Sequence, residues 1–160
     1  MGEHDHNFAE HHDENLPPIK IPHRDGSINI NGYGLMMKIH SSTAVAPERL
    51  EEMIREVVLG IAKECMENGA TAIGHVKTHL KTTHGYARAD VVRLKEGAYV
   101  QSDLKEAEAA GELTLNSIIL GMEKDEIAEI TTNVARGILE KFGFDFTLMP
   151  SGNGVSLGDN

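Results

Sequence analysis

The chain has 160 residues, with 25 acidic against 15 basic side chains, a formal net charge of −10 and one cysteine. That length suits one domain with a real core, and so acidic a chain is a poor candidate for broad nucleic-acid binding, which draws on surplus positive charge. A lone cysteine, Cys65, excludes an internal disulfide and any CxxC metal or redox motif.

No apolar run approaches the roughly 18–20 residues that span a bilayer. The opening MGEHDHNFAEHHDE lacks the apolar stretch of a secretory signal. A cytoplasmic location and no membrane partner are therefore expected. There is no Trp, and Phe and Tyr total seven, which disfavours a single-strand base-stacking platform.

The first 30 residues hold five of the nine His, six acids and two bases. Residues 1–27 read as a His-rich acidic flexible arm, because little in them repays ordering. His4, His6, His11 and His12, with their neighbouring carboxylates, form a loose ligand set suited to Ni²⁺ or Zn²⁺. Their spacing matches no closed structural zinc motif, and an incidentally His-rich leader is the alternative.

Residues 33–42 read as a strand. Apolar residues from Leu50 through Cys65 recur at i, i+3, i+4 and i+7 and predict a helix over 47–67. Pro47 suits its first position and Gly69 its end. Cys65 falls on that apolar face and reads as a small buried hydrophobe. Strands are expected over 71–82 and 86–94, with a short one near 98–103, and a further strand over 112–121. A second helix spans 124–142, with Asp125 and Glu126 at its start and Lys141 at its end, as the helix dipole favours. A last strand covers 144–149. The Gly- and Ser-rich stretch 150–160 reads as a flexible tail, leaving one α+β domain over 28–149.

The order suggests a two-layer α/β sandwich, ferredoxin-like β-α-β-(hairpin)-β-α-β, with two helices on one face of a mostly antiparallel sheet. In such an order the 86–94 strand would lie between the first two strands. Architecture of this kind does not name a function.

The most informative segment is 71–95, with five Lys and Arg against one acid, a local +4 within a chain of −10. Period two places His75, Lys77, His79 and Lys81 on one strand face and Gly74, Val76, Thr78 and Leu80 on the other. Lys38 and His40 have the matching outward parity on the first strand. If His84-Gly85 forms a two-residue turn, His79 faces Asp90 and Lys81 faces Arg88. A one-residue slip would drive the basic stripe into the core.

Three readings follow. The stripe is an ordinary solvated face. Or Lys38, His40, His75, Lys77, Lys81 and Arg88 bind a small phosphate- or carboxylate-bearing ligand or partner, since opposed like charges ask for a counter-ion. Or the face centres on histidine: His79 and Asp90 act as an acid–base pair in a small enzyme, or gather a metal with His40. His75 and His79 stand about 13 Å apart at ~3.3 Å per residue, too far to share one metal. Ile73, Val92, Leu94 and Met36 are expected as apolar groups on the open face, which makes a homo-oligomer plausible.

Overall fold

Alternation of inward and outward side chains builds the strands, and a long apolar stripe builds each helix, in a computed structural model that describes residues 29–150. Strand β1 (Ile30–Val45) buries Leu35, Met37, Ile39 and Ser41 and exposes Met36, Lys38 and His40. It begins three residues earlier than the sequence predicts. Helix α1 (Pro47–Glu67) opens on Pro47 and buries Leu50, Met53, Ile54, Val57, Val58, Ile61, Ala62 and Cys65, as its periodicity requires. Strands β2 (Ala72–Thr82), β3 (Gly85–Val91), β4 (Tyr99–Ser102) and β5 (Glu108–Leu120) follow, with one 3₁₀ turn, Leu94–Glu96, between β3 and β4. Helix α2 (Lys124–Lys141) starts with a capping box in which the Glu123 and Glu126 carboxylates accept from each other's backbone N–H groups, satisfying donors the helix cannot. Strand β6 (Phe144–Leu148) closes the chain order.

The result is an α+β fold with two helices and a six-stranded sheet ordered β4-β3-β2-β5-β1-β6. Every neighbouring pair is antiparallel. Helix α1 packs over β2 and β3, α2 over β1 and β6, and the helices touch each other. They pack tightly at Gly60, where a Cβ would stand 2.9 Å from Val134 Cγ1. Between α2 and β5, the buried Ser117 and Thr131 hydroxyls bond each other at 3.0 Å, so neither polar group is left unpaired in the apolar layer.

Three expectations are corrected. First, β3 does not lie between β1 and β2. The 13-residue β5 takes that place and pairs with both, while β3 and β4 form a hairpin on the outer side of β2. Second, the β2–β3 turn is Thr83-His84, because Thr82 pairs with Gly85. Relative to the expected register, β3 slides by two residues. Third, the bulge at Gly74 pairs Ile73 with the buried Ile119. The extra residue turns Ile73 to the core side. Leu94, in the 3₁₀ turn, also packs against the core. Val92 and Met36 stay exposed, as expected.

Cys65 is fully buried, and burial pushes its thiol pKa up to about 11 from an ordinary 9.0. Folded protein at pH 8 is expected to leave Cys65 unmodified by a thiol reagent, and urea-unfolded protein to react at once. Because burial raises the folded value, the thiol's contribution to stability is complete below pH 9 and is lost as pH rises towards 11, where the unfolded thiol ionises first. Fast labelling of the native chain, or stability flat through this range, would contradict the burial.

Candidate functional site

On the sheet face away from the helices, side chains stand in rows across the strands. One row runs Gln101, Arg88, His79, Thr114 and Met36, by the successive pairings β4–β3, β3–β2, β2–β5 and β5–β1. The next runs Tyr99, Asp90, Lys77, Asn116 and Gly34. Between these two rows lies an open depression of about 460 Å³, bordered by Lys77, His79, Arg88, Asp90, Tyr99 and Gln101, with Thr114 and Asn116 on the β5 side. Such a volume is in the ~300–1,000 Å³ range of small-molecule sites.

The face is less uniformly basic than the β2 stripe alone suggests. Glu112 stands between Lys38 and Lys81, paired with both. His40 is paired with Asp145 on β6. These outer basic residues share their rows with carboxylates, an arrangement that favours cross-strand pairs. Lys77 faces Asp90, yet the Asp90 carboxylate engages His75, whose Nε2 lies 3.2 Å from Asp90 Oδ2. The row of Arg88 holds no acid. Among the described residues, neither Arg88 nor Lys77 makes an ion pair.

The Arg88 guanidinium packs against an aromatic neighbour on the same strand face. Its Cζ lies 5.3 Å from the centroid of the Tyr86 ring, and Tyr86 in turn stacks on His79 at 5.9 Å between centroids. Cation–ring contact of this kind is attractive and orients the guanidinium.

The structure therefore brings together Lys77, His79, Arg88 and Asp90, and sets His75 beside Asp90. It does not bring His79 opposite Asp90, nor Lys81 opposite Arg88; the two-residue slide puts His79 against Arg88 and Lys81 against Tyr86. His40 is separated from β2 by β5, about 10 Å at ~4.8 Å per strand, so it joins neither a His79–Asp90 metal set nor the depression. Among the described residues no group of three or more His, Cys, Asp or Glu is placed to hold a metal ion. His4, His6, His11 and His12 lie outside the described residues, as do the bounds of the arm and most of the tail. No described helix is long and apolar enough to cross a membrane.

Sequence reasoning missed Tyr86, Tyr99, Gln101, Thr114 and Asn116. Their outward parity on β3, β4 and β5 was readable, but only once the strand order was known did it place them beside Arg88. Comparison with protein-family models, with curated proteins and with solved structures returned no match.

Proposed function

We propose that the chain is a small binding or accessory module that holds an anionic ligand, phosphate- or carboxylate-bearing, in the depression around Arg88. The observation that carries this is the uncompensated charge: Arg88 and Lys77 border one hollow, and neither is spent on a carboxylate of the described residues. A guanidinium offers a planar fork of donors matched to phosphate and carboxylate oxygens. Lys77 adds an ammonium, and Gln101 and Asn116 add amide donors. In this reading Lys38, His40 and Lys81 serve only the outer field.

The strand order supports a ferredoxin-like two-layer sandwich. Strands β2, β5, β1 and β6 with α1 and α2 compose the β-α-β-β-α-β unit, and β3–β4 is an inserted hairpin added at its edge. Ile30, Met36 and Ile118 are exposed apolar groups on the same sheet face, and they support self-association beside the site.

The test is calorimetric titration of the full chain with inorganic phosphate, at low salt because screening weakens exposed charge. Wild type is expected to bind, and Arg88→Ala to lose at least about tenfold in affinity, the worth of a charge-assisted hydrogen bond. Absence of binding by wild type, or unchanged affinity in the variant, overturns the reading.

A second reading rests on the His75–Asp90 contact. A carboxylate that orients an imidazole is the arrangement of a general base, and Asp90 borders the depression. It would make the protein a small acid–base enzyme in which His75, rather than the His79 expected from sequence, partners Asp90.

A further inference from the structure

Resting on the anion reading above, we infer that the ligand of this site is an aromatic phosphate of mononucleotide size rather than a bare anion. The depression holds more than an oxyanion needs, and Tyr99 lines it.

The two tyrosines of the site differ in what they already touch. Tyr86 is engaged with His79 and Arg88. Tyr99 is 68% exposed and makes no ring or cation contact among the described residues. It is an unused flat surface at the rim of a charged hollow. Tyr99 is paired with Asp90 and Gln101 with Arg88, so Tyr99 and Arg88 are diagonal neighbours, roughly 7–8 Å apart between backbones. That separation suits a ligand whose phosphate sits on Arg88 and Lys77 while a ring lies over Tyr99, with a pentose bridging the two.

The polar groups between them fit a heterocycle's edge. Gln101 and Asn116 each carry an amide donor and acceptor, and Asp90 retains a second carboxylate oxygen that can accept from a ring amine. Stacking on Tyr99 is tolerant of ring identity, so the class is set as an aromatic ring joined to a phosphate. Net charge of −10 disfavours a polynucleotide, whose many phosphates need a wider basic surface.

Titration of the full chain with adenosine 5′-monophosphate, ribose 5-phosphate and adenosine tests this. Wild type is expected to bind the nucleotide about tenfold more tightly than ribose 5-phosphate, a typical return for one stacked ring. Tyr99→Ala is expected to erase that difference by weakening the nucleotide about tenfold more than ribose 5-phosphate, and Tyr99→Phe to preserve it. Equal binding of nucleotide and ribose 5-phosphate by wild type overturns the inference and leaves the anion reading standing. So does a Tyr99→Ala variant that keeps the full nucleotide preference, or that weakens both ligands alike. If neither phosphate binds, both readings fall together.

Discussion

Leu113→Ala is expected to lower the unfolding free energy by about 2–5 kcal/mol, the cost of a large truncation in a packed core. Leu113 lies in β5, which pairs with β1 on one side and β2 on the other. It is fully buried opposite Met37 and Leu80, which are themselves buried. Neighbours on both flanks belong to hydrogen-bonded strands, so little can collapse into the space left behind. Ile118→Ala on the same strand is the internal control: Ile118 points to the open face and is partly exposed, and it should cost under about 1 kcal/mol. Urea unfolding curves for the two variants decide the matter. A Leu113→Ala midpoint no lower than that of Ile118→Ala would mean that β5 is not the central strand.

Gly85→Ala is expected to cost about 2–3 kcal/mol, through backbone strain and collision rather than lost burial. Gly85 has φ +148, and a Cβ there would stand 2.2 Å from the Asp103 carbonyl oxygen and 3.0 Å from Leu104 Cα. Both obstacles are backbone and neither can rotate away. The segment after β4 is also tied at this point: Asp103 N–H donates to the Tyr86 carbonyl at 2.8 Å, and Lys105 N–H to the His84 carbonyl at 3.3 Å. On the other side, His84 N–H donates to Glu108 Oε1 at 2.9 Å. The variant should show a lowered urea midpoint, with faster amide exchange concentrated in 84–106. Because Tyr86 supports Arg88, phosphate affinity should fall as well. Wild-type stability in Gly85→Ala would show that the 103–105 segment is free to move aside.

Much of this architecture was legible in the residues. The two helices declared themselves through Leu50 to Cys65 and Ile127 to Leu139, whose spacing admits one buried face. Facing was equally plain in β2, since only one parity sends Val76, Thr78 and Leu80 inward and Lys77, His79 and Lys81 outward. Register was not, because a turn at Thr83-His84 and one at His84-Gly85 differ by a slide of two, and a slide of two preserves every facing. Both choices keep Arg88 and Asp90 outward; only the partners change. Ile73 escaped because a bulge reverses parity for everything beyond it, and Gly74 looks in sequence like any other small strand residue. Strand order was hidden for a different reason. A hairpin inserted at the edge and a strand inserted in the middle share the same local signature. The deciding fact, that 108–120 is long enough to serve two neighbours, is a property of the assembled sheet. The candidate site inherits this: its β2 residues were visible, while Tyr99, Gln101 and Asn116 depended on who stands next to whom.

The edge position of the β3–β4 hairpin separates two kinds of change open to the protein over time. Arg88, Asp90, Tyr99 and Gln101 all belong to that appended piece, whereas β1, β5, β6 and α2 pack mainly on one another, on α1 and on β2. Ala87, Ala89 and Val91 tie its inner side to α1 and must stay small and apolar. Its outer residues carry no such obligation. Descendants of this chain could therefore rewrite a handful of outward positions between 86 and 101 and so change the chemistry of this face, while the remainder of the sheet is inherited intact.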